Sequence, residues 1–305
     1  MNVALAFNAR RHDGEDHAEF DTPETIALIE QTLRGLGHRV TPLEVTRPVD
    51  EVARALRRLA PELVFTIAEG ERGTFREALV PALCDQLGLA CTGSSASVLA
   101  LTLDKALAKR VVAAAGVAVP RGAFVRASDD VTVPLPAIVK PNFEGSSKGI
   151  TQASVVTELA RLRPAIEAAL RAFPAGVLVE ELVPGEDVAV AFLAGEVLAP
   201  VRYAYRATGP HRIYDAVLKR DDRAAPLEDV ASPFADVLRA AAATAFGALG
   251  VTGYARADFR VTPEGRCVFL EVNALPSLAP TNNELYRSRS AREVIAAIVG
   301  ATITG

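Results

Sequence analysis

Hydrophobic positions in the first 95 residues alternate between two textures. Unbroken apolar runs, NVALAF at 2–7 and ELVFTI at 62–67, with a weaker HRVTPLEV at 38–45, read as strands buried on both faces of a parallel sheet. Between them, DTPETIALIEQTLRGLG places Ile26, Ile29, Leu33 and Leu36 on one helical face. Asp21 or Thr22 supplies the cap, Pro23 sits in the first turn and Gly37 is the stop. The alternation predicts a small doubly wound α/β unit, whose ligands lie beyond the carboxyl ends of its strands.

A helical stretch, TLDKALAKRVVAAAG, follows and ends at Gly116. From about 120 to 200 the pattern becomes short strands punctuated by proline and glycine, AIVKP, GVLVEELVPG and DVAVAFLAGE, with one helix over roughly 155–172. This predicts a strand-rich α+β module with a covering helix. Residues 203–226 are polar and turn-rich with no period, which in a compact chain predicts a functional lid. A helix over about 233–249 and a hairpin come after it.

Composition narrows the function. With 305 residues, half of them hydrophobic, the chain supports two or three compact units. A net charge of -4 with no long basic run argues against a nucleic-acid surface. The start, MNVALAF, has no basic segment before it, and no apolar run reaches the roughly 20 residues of a membrane span. Cys84, Cys91 and Cys267 lack metal or redox spacing, so a reducing cytoplasm is expected. Neither a GxxxxGK[ST] loop nor a G-x-S-x-G elbow occurs, and His12, His17, His38 and His211 are scattered.

The hairpin ARADFRVTPEGRCVFLEVN carries the strongest chemical signal. With its turn centred between Glu264 and Gly265, Ala257, Phe259, Val261, Val268, Leu270 and Val272 share an apolar face. On the other face Asp258 lies across from Glu271, and Arg256 across from Asn273. Two carboxylates and an amide, all hard oxygen donors, favour Mg²⁺ or Mn²⁺ over zinc. The bland alternative is an exposed face on which these charges pair with one another. A bulged turn shifts the register by one.

LDKALAK, VKPNFEGSSKGI, VLVEELVPGEDVAV and ARADFRV…FLEVN occur in the order and spacing of the ATP-grasp superfamily. With TGSS at 92–95, the chain resembles the D-alanine:D-alanine ligase branch over nearly all its length. The resemblance implies an N-terminal α/β substrate domain at 1–95 and a central lid at 96–178. A C-terminal metal and nucleotide domain with the polar lid loop would occupy 179–305. It also implies a ligase that joins a carboxylate to an amine through an acyl phosphate, releasing ADP and phosphate. Small amino-acid or peptide-like substrates are the expected partners, without nucleic acid or membrane, and a homodimer is left open.

Carried over by position, Lys105, Lys140 and Ser147 would hold ATP phosphates, and Glu180 with the backbone of Glu181 and Val183 would read adenine. Asp187, with Glu186 as fallback, would hold the ribose. Asp258, Glu271 and Asn273 would bind two Mg²⁺ ions, and Arg256 would stabilise the transferring phosphate. Lys219 and Ser277 would serve the reacting groups, and Ser146 would latch its loop to the polar lid.

The amino-acid end departs from the family. Glu69 stands where a histidine is expected, and the amine-holding glutamate is ambiguous among Glu15, Glu19 and Glu24. Arg220 replaces the tyrosine opposite Ser146, Ser277 replaces a glycine, and Asn282 replaces a serine that grips the second carboxylate. A substrate other than D-alanine, larger or differently charged, is therefore expected. The alternatives are a true D-alanine:D-alanine ligase and a nucleotide-binding sensor without ligation.

Overall fold

Parallel pairing follows from the unbroken apolar runs. In the computed structural model, which describes residues 1–46, 48–127, 131–219, 225–231 and 234–304, the chain begins with β1 (Asn2–Phe7), α1 (Pro23–Gly35) and β2 (Arg39–Glu44). It continues through α2 (Val49–Leu59), β3 (Leu63–Thr66) and α3 (Leu79–Leu87). The strands form a parallel sheet in the order β2-β1-β3. Thr22 caps α1 by accepting from the Thr25 N–H at 3.3 Å, Pro23 is its first residue, and the chain leaves through Gly37 at φ +89°.

The next helical stretch divides into α4 (Ala96–Leu103) and α5 (Lys105–Ala114). The break is at Asp104, whose carboxylate caps α5 by accepting from the Leu107 N–H at 3.0 Å. Then come β4 (Gly122–Val125), β5 (Ala137–Pro141), β6 (Val155–Val156), α6 (Leu159–Ala172) and β7 (Val177–Glu181). They make an antiparallel sheet, β4-β7-β5-β6, with Leu162 and Ile166 of α6 packed on Val139 and Val179. The helix expected from about 155 starts later because the β-branched pair Val155 and Val156 adds an edge strand beside Ile138 and Ala137.

The remainder holds β8 (Glu186–Leu193), β9 (Glu196–Val197), β10 (Val201–Tyr203), α7 (Ala216–Lys219) and β11 (Leu227–Asp229). It ends with α8 (Phe234–Leu249), β12 (Tyr254–Val261), β13 (Cys267–Asn273) and α9 (Ala291–Thr304). The sheet runs β11-β10-β8-β12-β13, with β9 pairing β8. Leu99, Ala108 and Val112 from α4 and α5 join Phe246, Phe259 and Phe269 in one core, which also takes in Val3, Leu5 and Ile29 of the first unit. At the junction Gly253 meets Gly93 so closely that an added Cβ would stand 2.7 Å from the Gly93 Cα.

The aperiodic stretch is ordered by a buried acid. Asp215 accepts at one oxygen from the Val217 and Leu218 N–H groups, both at 3.2 Å, starting α7, and at the other from the Thr208 hydroxyl at 2.5 Å. Tyr203 and Tyr205 pack their rings on Tyr214.

Candidate active site

A cavity of about 580 Å³ opens where the three sheets meet. Every site residue named from the sequence lines it except Glu24 and Glu186, among the alternatives, and Arg220, which lies outside the described residues.

The two lysine motifs are stitched together by Asn142. Its amide oxygen accepts from the Ala106 N–H at 2.9 Å and its amide N–H donates to Asp104 at 2.8 Å. Lys105 stands 3.0 Å from Glu271 and donates to the Glu144 carbonyl at 2.7 Å. Lys140 stands 3.0 Å from Glu180, whose other oxygen takes an ion pair from Lys109. Glu180 is 2% exposed, so one carboxylate compensates two buried ammonium groups. Burial opposes its charge, but Lys109 and Lys140 outweigh it and hold the carboxyl below its ordinary value. Burial pushes Lys109 down to about 7 against Glu180, whereas at Lys140 the carboxylates of Glu180 and Glu271 overcome burial and raise it. Lys109 escaped the sequence reading although it lies one turn beyond Lys105 on α5, on the same face.

Beyond the end of β7, the Val183 carbonyl accepts from Arg260 at 3.1 Å, and its N–H meets no protein acceptor among the described residues. The Glu181 side chain turns outward to Arg121 at 2.8 Å. Asp187 accepts from the Tyr205 hydroxyl and from Arg260 at 2.6 Å. Glu186 instead reaches the exposed Arg202. Tyr205 and Arg260 were missed by sequence reasoning, although Arg260 shares the Asp258 face of its strand.

The hairpin keeps the expected pairs Arg256↔Asn273, Ala257↔Val272 and Asp258↔Glu271. A bulge follows, so Phe259 opposes Phe269, their rings edge to face at 5.7 Å. The expected apolar face is therefore corrected at two positions: Leu270, the extra residue, turns to the cavity beside Glu271, and Val268, now opposite Arg260, gives up its place to Phe269 and Cys267. Arg256 forks onto Asp258 at 2.8 and 2.9 Å. Burial raises the Asp258 pKa despite that arginine. At Glu271 burial also favours the neutral acid, but Lys105 and then Lys140 outweigh it and hold the carboxyl down at about 2. The Asn273 amide oxygen accepts from the Leu275 N–H at 2.9 Å. An all-oxygen anionic set fits a hard divalent cation.

The glycine-serine loop is held from two sides. Glu19 accepts from the Gly145 N–H, so close that a Cβ on Gly145 would stand 2.6 Å from its oxygen. Ser146 and Ser147 take left-handed conformations at φ 50° and 54°. Ser146 lines the cavity, and the tie to the polar stretch runs from the Ser147 hydroxyl to the Tyr214 carbonyl at 2.9 Å. Gln152 adds bonds to Thr208 and to both backbone groups of His211 at 3.1 Å. On the chemistry that the resemblance implies, Gln152→Ala is expected to loosen this closure and to raise ADP release per amide formed by ~3-fold or more, as water reaches an acyl phosphate. An unchanged ratio of ADP to product in a coupled assay would place closure elsewhere.

Where the first unit meets this loop, Glu19 is gripped by both oxygens, at 2.8 and 2.7 Å, by Arg76, which also donates to the Phe143 carbonyl at 2.7 Å. Glu15 is exposed on the rim, and Glu24 points away from the cavity on α1. Glu69 follows β3 and Asp21 lies beside the end of β1 through a bridge to Ala9. Ser277 is exposed, with its hydroxyl 3.4 Å from Asp21. Asn282 donates to the Ala225 carbonyl at 2.9 Å. Lys219 lines the cavity from α7. Burial raises the Glu69 pKa well above its ordinary value, and neighbouring Glu77, Glu19 and Asp21 push the same way.

Burial raises Asp21 to about 7, with Ser277 and Arg10 opposing. The unfolded chain loses this proton near 3.8 and the folded protein near 7, so the stability present below the lower value is lost as pH rises through the upper one. Asp21→Asn should therefore stabilise the free protein above pH 7 by on the order of a few kcal/mol, with the gain vanishing below about pH 4. Denaturant titrations at the two pH values check this, and an equal gain at both would contradict it.

The profile described as "D-ala D-ala ligase C-terminus" matches residues 121–292. A D-alanine–D-alanine ligase of Caulobacter sp. (strain K31) is 37% identical over 270 residues, covering 85% of this chain and 80% of the relative. One from Gloeobacter violaceus is 32% identical, covering 83% and 84%. The crystal structure of the Bacillus anthracis D-alanine–D-alanine ligase complexed with ATP superposes with a TM-score of 0.79 at 17% identity, over 100% of this chain and 98% of that one.

Proposed function

Because the chain belongs to the D-alanine–D-alanine ligase family, an ATP-grasp family, we propose how its own residues carry out ATP-dependent joining of a carboxylate to an amine. The observation that supports the reading best is the convergence of Lys105, Lys140, Asp258, Glu271 and Asn273 on one cavity. A carboxylate is a poor electrophile, so the first substrate must be activated as an acyl phosphate, with ADP leaving, before an amine displaces phosphate. Lys105 and Lys140 neutralise phosphate oxygens of ATP. The adenine edge is met by the N–H of Val183, and the ribose hydroxyls by Asp187, oriented through Arg260 and Tyr205.

Asp258, Glu271 and Asn273 would hold Mg²⁺, which supplies charge neutralisation and alignment of the transferring phosphoryl group. Arg256 stands next to that site and stabilises negative charge developing on the phosphoryl and acyl oxygens. Closure of the loop at 145–149 onto the polar stretch excludes water from the acyl phosphate. An amino acid serves as the carboxylate donor. Its ammonium faces the acid-lined end of the cavity, where the residues differ from those expected for D-alanine. A second reading, nucleotide binding without ligation, is not favoured, because binding alone needs no carboxylate set across from two phosphate-facing lysines.

Hydroxylamine as the amine tests the reading independently of the natural acceptor. With ATP and Mg²⁺, an amino-acid donor should give ADP and a hydroxamate in equal amounts. ADP release that no acid stimulates would reject the ligase reading.

A further inference from the structure

The end of the cavity walled by the first unit carries more negative charge than one amino-acid ammonium satisfies. Glu19 is already compensated, since Arg76 grips both its oxygens and the Gly145 N–H adds a third donor. Glu284 is buried and takes the Tyr203 hydroxyl. Asp13 and Glu15 are exposed on the rim, and Glu77, buried outside the lining, adds its charge to that of Glu69; two shielded carboxylates of the wall remain. Asp21 is only 7% exposed, lines the cavity and has one long bond, from Ser277 at 3.4 Å. Glu69 lines the same end, and no hydrogen bond or ion pair reaches its carboxylate among the described residues.

Nearby cations are otherwise engaged. Arg10 lines the cavity, but its guanidinium donates to the carbonyls of His17 at 3.2 Å and Ala18 at 2.7 Å. Arg256 is forked onto Asp258. No cation of the described residues lies within ion-pair distance of Asp21 or Glu69. Both carboxyls retain protons more strongly than usual, the behaviour of sites that would gain from a bound positive charge. Arg10 acts on Asp21 and Arg76 on Glu69 only from beyond ion-pair distance, and burial outweighs both; such carboxylates are costly, and a single α-ammonium compensates only one of them.

We infer that the first substrate is a basic amino acid, whose α-ammonium and side-chain cation are received between Asp21 and Glu69 while its carboxylate faces Arg256. The inference rests on the ligase reading above and adds the charge class of the donor. Glu69 is the specificity-determining residue: it follows the end of β3 and Asp21 adjoins the end of β1, so both acids stand at the carboxyl end of one sheet, where the α-ammonium and the side-chain cation of one amino acid each meet one of them.

Hydroxamate formation from lysine, ornithine, norleucine, norvaline and alanine, each in both configurations, tests this with the full chain, ATP, Mg²⁺ and hydroxylamine. Lysine or ornithine should exceed the neutral analogue of matching length by at least about tenfold in kcat/KM, one unpaired buried charge being worth that much or more. Glu69→Gln should bring the ratio near one chiefly by raising KM for the basic substrate, and Glu69→Lys should shift preference toward acidic or neutral donors. Neutral donors equal to or better than basic ones, or a preference that survives both variants, would overturn the inference while leaving ligation intact. Failure of every acid to give hydroxamate would overturn the ligase reading and this inference with it. Circular dichroism of the variants separates misfolding from lost specificity, and Asp21→Asn, which is expected to stabilise the fold, provides an independent second variant with the same expected loss of preference.

Discussion

Glu271→Gln is expected to lower turnover by about a thousandfold, the equivalent of roughly 4 kcal/mol of transition-state stabilisation, and to lower the thermal midpoint by a few degrees, because buried Lys105 loses its ion-pair partner. The side chain lies on the cavity face of β13, away from the Phe259 and Phe269 core, so its removal opens no void. What changes is charge. Glu271 is held ionised at neutral pH by Lys105 and Lys140 against its burial, and its oxygens face Asp258 across the hairpin. The amide keeps a hydrogen-bond acceptor for Lys105 but offers a divalent cation a neutral oxygen in place of an anionic one. Steady-state ligation as a function of Mg²⁺ concentration should show both a higher half-saturating Mg²⁺ concentration and a depressed maximum. Normal turnover with unchanged Mg²⁺ dependence would remove Glu271 from the metal set.

Glu180→Gln should act on the fold as well as on the reaction. It leaves Lys109 and Lys140 buried without their shared anion, a loss of about 3–5 kcal/mol for a broken buried ion pair. For a chain of this size that corresponds to a drop in thermal midpoint of roughly 10 °C. Saturating ATP should restore part of it, because phosphate gives Lys140 another counter-charge, whereas Lys109 gains nothing from the nucleotide. Lys109→Met, which leaves Glu180 with Lys140, should stay much closer to the parent protein. Equal midpoints for Glu180→Gln and the parent, or no ATP-dependent recovery, would mean that the three side chains are not energetically linked.

Residues whose partners sit a few positions away, or directly across a hairpin, could be read from the chain itself. Period-two alternation brought Asp258 opposite Glu271, and the pairing holds at that end of the hairpin. It failed beyond it, because Glu264-Gly265 is a weak turn signal and nothing in the pattern marks the bulge that redirects Leu270. The cap, the apolar stripe and the stop of α1 were legible for the same local reason, whereas the edge pairing of Val155 and Val156 depends on β5, well upstream. Arg76 and Glu19 are 57 positions apart, and Lys109 and Glu180 are 71 apart. Glu19 and Glu180 were named only through the resemblance, and Arg76 and Lys109 not at all; only the meeting of separate units makes the four a buried network. Asp21 was noticed as a helix cap, a role that Thr22 fills, leaving the aspartate free to face the cavity.

The continuity of one apolar core from Val3 and Leu5 to Phe259 and Phe269 bears on how such proteins can be recombined. The N-terminal unit is no interchangeable cartridge. A crossover near residue 95 would carry new substrate chemistry into the chain, but it would also part Gly93 from Gly253 and the Ser94 hydroxyl from the Thr252 carbonyl, 3.0 Å away. Exchange of substrate specificity is thus better sought by point replacement around Asp21 and Glu69 than by grafting whole units, and inheritance of this pocket is tied to inheritance of the nucleotide-binding half.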